Sequence, residues 1–396
     1  MDYQQIQPDR FKEMLELAAY AFDLEPDEEF QKMLHSFALH SAVYGAIDQD
    51  HLTSQLLVLQ MSIFLHETEI PMGGVSYVSS YPEVRGSGNI TELIGRALKG
   101  MKEKGQLLSF LSPFSYAFYR KYGYEHVFNQ TTYTIANKDL PHFKEVKGTV
   151  KRVKGTQVLS QLADLYQKRY QQAVGPVVRR EWNWELKLEQ HKHQQVALYL
   201  DEDNQAQGYL LYHFSKSQKS TFVLDEMVYL THDAFKGLWQ FITSHRSSFA
   251  AFSYVANDGE KLADLFENPR IQQKTQPHMM ARIVDFPAFI QTYPFLERAQ
   301  ATFYLKVKDD FAEWNNGLWK VELRTTGRKV TKVQEEEKVP AHHWIEGTIQ
   351  DWTCFLLHSQ DIKKMAFHER ILADKAVLQD FVERVPNGHP ELYDAF

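Results

Sequence analysis

Apolar residues in the first 135 positions alternate between helical and extended spacings. Phe11, Leu15, Ala18, Ala19 and Phe22 recur at intervals of three and four, which predicts a helix over Phe11–Phe22. Phe30–Leu39 reads as a second helix, and Ala42–Asp48 and Gln55–Glu67 as strands rich in β-formers. A further strand, Gly74–Ser79, runs into a turn at Tyr81–Gly88. The plainest stripe follows. Ile90, Leu93, Ile94, Ala97, Leu98 and Met101 line one face of a helix that should end near Gly105. Leu107–Leu111 is predicted as a strand, Phe114–Tyr122 as a short helix and Val127–Ile135 as a strand.

The polar, basic stretch Lys138–Lys154 reads as a linker. Beyond it, strands are expected at Val196–Leu200, Gln207–Phe214 and Phe222–Leu230, with a helix at Ala234–His245. The last hundred residues change character. Strands at Ala301–Val307 and Gly317–Arg324 flank the turn-rich Asp309–Gly317. Apolar segments follow at Thr348–Leu356 and Ile362–Phe367, with a closing helix at Ala373–Val385. This mixture predicts an α+β (mixed α/β) chain. Three domains fit the length of 396 residues, at 1–137, 150–292 and 298–396.

Composition narrows the function. Lys and Arg total 44 against 51 Asp and Glu, a net charge of −7, which disfavours nucleic acid as a partner and favours cationic ligands. The single cysteine, Cys354, lies in an apolar run and excludes a disulfide framework. His342 with His343, His191 with His193, and His35 with His40 lack three-ligand spacing, so no metal is expected. The N-terminus MDYQQIQPDRF has neither the basic nor the apolar region of a secretory signal, and no apolar run is long enough to span a membrane. A cytoplasmic location is the expectation.

The chemistry concentrates between Val75 and Tyr124. A strand delivers Val84-Arg85-Gly86-Ser87-Gly88 to a helix N-terminus. Two glycines let backbone N–H groups approach a ligand, and the helix start favours an anion there. Tyr119-Arg120-Lys121-Tyr122-Gly123-Tyr124 follows about 30 residues on, after a second strand.

Strand, glycine-bearing turn, helix, strand and Tyr-x-x-x-Gly-Tyr turn, in this order, resemble the GNAT acetyltransferases. The order of further pieces is similar to the enhanced intracellular survival (Eis) group. These pieces are Arg179-Arg180-Glu181-Trp182, Leu224–Val228 with Ala234–Phe241, Met280–Asp285, Asp310-Phe311 and Trp314–Gly317. The resemblance implies tandem GNAT-like domains, the second without a cofactor cradle, followed by a sterol-carrier-like domain. It implies acetyl-CoA as cosubstrate, its pyrophosphate held by the amides of Val84, Arg85, Gly86, Ser87 and Gly88. The pantetheine arm would pair along Ser76, Tyr77 and Val78. One departure stands at the head of the cradle: Glu83 occupies a position usually held by Gln or Arg, and its charge suits phosphate only if it faces solvent.

The resemblance further implies that Tyr119 is the general acid for the leaving thiolate. The carboxylate of the terminal Phe396 would be the base, its low ordinary pKa of about 3.5 raised by apolar surroundings. Tyr116 and Tyr122 compete with Tyr119. Asp23, Glu25 and Asp27 form an acidic cluster suited to a polycationic amine. Aminoglycoside-like acceptors and a homo-hexamer are implied by the same resemblance. The alternatives are a protein lysine acetyltransferase, a non-catalytic binding or regulatory protein on the same fold, and a transferase that uses charged tRNA.

Overall fold

The computed structural model describes residues 1–189, 193–215, 220–257, 260–324, 327–335, 338–340 and 343–396. His191, His342, Glu336 and Glu337 therefore lie outside the described residues. The chain divides into two compact units. The first comprises Met1–Phe128, His278–Pro390 and Ala395–Phe396; the second comprises Asn129–Pro277 and Glu391–Asp394.

The first unit opens with β1 (Asp2–Gln5), α1 (Phe11–Phe22), α2 (Glu28–Leu39), β2 (Ser41–Asp48), β3 (His51–Leu65) and β4 (Thr68–Ser80). It continues with α3 (Asn89–Glu103), β5 (Leu108–Leu111) and α4 (Tyr116–Arg120). β1 to β4 are antiparallel neighbours in chain order. β5 then joins β4 in parallel, and residues 280–283 pair antiparallel with β5. The hairpin of β3 and β4 turns at His66–Glu67, both with positive φ (48° and 68°). The sequence pattern runs the strand through Glu67, because this turn carries none of the Gly or Asn residues that ordinarily mark one.

The apolar stripe of α3 packs as expected. Leu93, Ile94, Ala97, Leu98 and Met101 are buried against Val58, Val75 and Leu111. Each large side chain among them contributes about 1.5–3 kcal/mol of burial. Gly105, at φ 72°, terminates the helix where the stripe ends. α4 is shorter than predicted, because Ser115 caps it by accepting from the Phe118 amide at 3.3 Å.

The C-terminal part of this unit holds a sheet of Gly327–Lys332, Gly317–Arg324, Ala301–Lys308 and Trp344–Thr348, in that order. The last two strands are parallel and the others antiparallel. Helices Ile349–Leu356, Ile362–Phe367 and Lys375–Val382 follow. Thr348 and Asp351 form a capping box at the first of these. Cys354 is buried, and burial pushes its thiol up to about 12, which suits a structural role.

A fully buried ion pair ties the C-terminal part to the turn after α4. Arg282 donates to Asp309 at 2.6 Å and also to the carbonyls of Ile283 and Tyr122. Asp309 in turn accepts from the Ala312 amide at 2.9 Å and from Asn315 at 2.9 Å.

In the second unit, Gln195–Leu200, Ala206–Ser215 and Thr221–Tyr229 form an antiparallel run. Thr221–Tyr229 pairs in parallel with Ala251–Asn257, which pairs antiparallel with residues 130–136. The stretch read as a linker contains an edge strand, Thr149–Val153, paired with Gln195–Leu200. The helices are Leu159–Tyr170, Glu181–Glu189 and His232–Thr243. Their core is aromatic, with Tyr199, Tyr212, Phe222, Trp239, Phe252 and Tyr254 buried together.

Candidate active site

The site begins with a bulge. On β4, Ser79 pairs with Gln55 and Ser76 with Leu57, so Tyr77 and Val78 together face the single residue Leu56 of β3. Tyr77 takes a left-handed φ of 47°. Its ring is held there by Phe22, Phe30 and Phe37 at centroid distances of 5.5, 6.0 and 6.0 Å. Burial pushes its phenol up to about 12.

The bulge coincides with the end of pairing on the other edge. β4 and β5 pair from Met72↔Leu108 to Val75↔Leu111 and part there. Ser76, Tyr77 and Val78 thus lie just past the fork, on an edge without a ladder partner from β5. An extended ligand arm can add to such an edge as a strand would.

β4 leads into the glycine turn. Gly86 and Gly88 have φ of 82° and 88°, and no atom lies within 4 Å of where a Cβ would stand on either. The turn is open on that side and accessible only to glycine without strain. Gly88 is the N-cap of α3, whose first N–H groups lack intrahelical partners. The turn also holds its own shape. The amides of Val84, Arg85 and Ser87 donate to the carbonyls of Tyr81, Pro82 and Val84 at 3.3, 3.1 and 3.4 Å. Of the five predicted amide donors, these three thus have internal acceptors. Glu83 is exposed to solvent. The start of α3 is anchored below by Asn89, which is buried and donates to Ser54 at 3.2 Å while accepting from the Tyr3 hydroxyl at 2.9 Å.

Tyr119 is buried in the cluster that also contains Val75 and Leu111, the last paired residues of the fork. Burial raises its pKa, helped by Tyr124 and Tyr122, so the phenol keeps its proton. Tyr124 and Tyr122 are committed elsewhere, to Ser109 at 2.7 Å and Thr91 at 2.9 Å. Tyr116 is half-buried against His126.

Gly74, just before the fork, meets the last residue of the chain. A Cβ placed there would stand 2.8 and 3.0 Å from ring carbons of Phe396. The terminal ring therefore lies directly on β4.

The acidic cluster sits in the connection between α1 and α2. Phe22 and Phe30, which flank it, both pack on Tyr77, so the connection borders the bulge. Asp23, Glu25 and Asp27 are exposed. Asp27 also caps α2, accepting from the Phe30 amide at 2.8 Å, and Asp23 takes the left-handed position that ends α1. Sequence reasoning missed the bulge, the role of Gly74 and the Arg282–Asp309 pair. The adjacent glycines Gly73 and Gly74 inside a strand were the available signal of close approach. Among the described residues no group of three or more His, Cys, Asp or Glu is placed to hold a metal. No helix among them is long and apolar enough to cross a membrane.

Residues 2–127 and 175–283 each match a model of an acetyltransferase (GNAT) domain, and residues 286–392 match a sterol carrier protein domain. The mixed α+β architecture is thus two GNAT domains followed by a sterol-carrier-like domain. A conserved Enterococcus faecalis protein, described as a probable N-acyltransferase, is 34% identical, with a TM-score of 0.93 over 100% of this chain and 99% of that one. A GCN5-related N-acetyltransferase from Anabaena variabilis has the same fold at 19% identity, with a TM-score of 0.89 and 100% of both chains covered. Eis1 from Mycobacterium abscessus shares it at 17% identity, with a TM-score of 0.80 and 100% of both chains covered. No curated protein matches.

Proposed function

The chain belongs to the GNAT acetyltransferases, and we propose that it transfers the acetyl group of acetyl-CoA to an amine of a small polycationic acceptor, aminoglycoside-like in its density of ammonium groups. The observation that carries this reading is the fork of β4 and β5, with a free edge at Ser76–Val78 running into the open turn at Gly86 and Gly88. A pantetheine arm pairs along such an edge, and a pyrophosphate fits at the start of α3.

In the proposed reaction a neutral amine attacks the thioester carbonyl. The C–N bond forms, the C–S bond breaks, and the departing thiolate takes the proton of the Tyr119 phenol. A phenol kept protonated by burial suits that donation. The carboxylate carried by Phe396, whose ring rests on Gly74, accepts the proton that the amine loses. The acceptor's remaining ammonium groups face Asp23 and Glu25, beside the aromatic wall of Phe22, Phe30 and Tyr77. Asp27 contributes charge while it caps α2. Assembly into a homo-oligomer, as in the Eis group, belongs to the same proposal and is tested by light scattering.

The test is thiol release from acetyl-CoA with a panel of aminoglycosides, polyamines and lysine peptides. Release that depends on aminoglycosides or polyamines is expected. Turnover confined to lysine peptides would move the acceptor to protein side chains. Tight acetyl-CoA binding without turnover on any amine would favour a regulatory role.

A further inference from the structure

The second unit repeats the fork of the first. Thr221–Tyr229 and Ala251–Asn257 pair in parallel from Thr221↔Ala251 to Leu224↔Tyr254 and then part. The first of these strands also bulges at the fork, because Leu211 faces Glu226 while its neighbour Tyr212 faces Leu224. The glycine turn is not repeated. Only Leu230 and Thr231 separate the strand from the helix His232–Thr243, and Thr231 caps it by accepting from the Ala234 amide at 3.1 Å. Asp233 is occupied by the Tyr199 hydroxyl, by Lys236 at 3.2 Å and by the Lys147 amide at 3.1 Å. This helix start is closed by the protein's own groups.

The fork itself holds the segment Glu391–Asp394. Arg179 lies at the centre, its side chain fully buried. One side of its guanidinium meets Glu226 at 2.8 and 2.5 Å; its Nε meets Asp394 at 3.0 and 3.2 Å. Tyr166 and Trp184 stack on it at 4.1 and 4.7 Å. Glu226 also accepts from Tyr209 at 2.5 Å. Tyr393 donates to Glu260 at 3.3 Å, and Glu260 accepts from Tyr254 at 2.7 Å. Glu391 donates its amide to Val174 at 2.8 Å and pairs with Arg169 at 3.7 Å. Through Glu226 and Tyr254 the tail is tied to both parted strands. Lys187 also meets Glu226, at 3.7 Å, so two cations stand against the two carboxylates; without Asp394, the Nε of a desolvated guanidinium loses its partner.

We propose that the fork of the second GNAT domain is a receptor for the chain's own tail, and that Arg179, between Glu226 and Asp394, is a positioning residue for Phe396. Phe396 follows Asp394 by two positions, with only Ala395 between them, and two residues reach at most about 7 Å. Whatever holds Asp394 therefore limits where the last residue can go. The consequence for catalysis rests on the reading of Phe396 as carrier of the base; the receptor itself does not.

The test has two arms. In the full chain, Asp394→Asn should speed removal of Phe396 by carboxypeptidase at least about tenfold and lower kcat by about tenfold through misplacement, with KM for acetyl-CoA unchanged. Asp394→Glu should recover part of both. In the second arm, a chain ending at Pro390 should bind a synthetic peptide of residues 391–396 and regain turnover with it. The peptide with Asn at position 394 should bind at least about tenfold more weakly, as expected for a buried charged contact. Unchanged carboxypeptidase protection in Asp394→Asn overturns the receptor, whatever kcat does, and serves alone if the shortened chain does not fold. Asp394-dependent peptide binding with no gain in turnover upholds the receptor and removes Phe396 from the chemistry.

Discussion

Gly74→Ala adds one methyl group beneath the terminal ring. The new carbon would stand 2.8 and 3.0 Å from ring carbons of Phe396 and 3.0 Å from the Met61 sulfur. Carbon pairs rest at about 3.5–4.0 Å, so the ring must retreat by roughly 0.5–1 Å. Met61 is an unbranched side chain that can yield; the backbone of β4, paired on both edges, cannot. The ring and the terminal carboxylate belong to one residue and move together. A displacement near 1 Å in a reacting group costs on the order of 100-fold, so kcat should fall by about 10- to 100-fold. Acetyl-CoA affinity, measured by calorimetry, should hold. A second substitution at the terminus, Phe396→Leu, makes room for the methyl and should return part of the rate, giving a coupling of at least about 1 kcal/mol in the double-mutant cycle. The assay is thiol release at saturating acetyl-CoA and acceptor. Full turnover in Gly74→Ala would refute the reasoning. So would a parallel loss of acetyl-CoA affinity, which would assign the effect to the cosubstrate.

Other consequences follow from the same geometry. Tyr119→Phe should keep acetyl-CoA binding and lose at least about tenfold in kcat, the contribution of a general acid; unchanged kcat would return Tyr119 to the core as a packing residue. Asp309→Asn leaves the buried Arg282 guanidinium without its countercharge and should cost about 3–5 kcal/mol in urea unfolding; a loss below about 1 kcal/mol would contradict a desolvated pair. Acid should destabilise the protein in two stages. His358, buried against His66 at 3.1 Å, is held near 4 by burial and by the neighbouring histidines. Its contribution is complete above the ordinary histidine value of about 6.5 and is lost as pH falls from there toward 4. Burial acts to raise the Glu226 pKa, but Arg179 and Lys187 hold it at about 2. Its contribution is complete above about 4.3 and is lost as pH falls from there toward 2. Melting temperatures between pH 7 and pH 3 should drop in both windows, and His358→Gln should flatten the upper one.

Much of the candidate site is written in local pattern. The α3 stripe from Ile90 to Met101, the Gly86 and Gly88 turn and the Tyr119–Tyr124 segment are each made by residues a few positions apart. Their periods and steric demands are legible without the fold, and the structure packs the stripe together with Tyr119, Tyr122 and Tyr124 in one cluster. Local reading was also incomplete. Asp27 read as one charge in a cluster, and the structure shows that it caps α2 as well. Thr149–Val153 read as linker because an exposed edge strand carries no apolar alternation.

Composition and spacing by themselves determined the α+β class and the helix that opens on a glycine turn. The tertiary structure decided the rest. The bulge at Tyr77 is formed by a residue with no intrinsic preference for φ 47°, and depends on three rings from α1 and α2 packing on it. Arg179 meets Glu226 across 47 residues and Asp394 across 215, while Arg282 meets Asp309 across 27. No local rule pairs charges so far apart. They find each other because folding removes them from water, and a buried charge is tolerated only where another part of the chain supplies its counterpart.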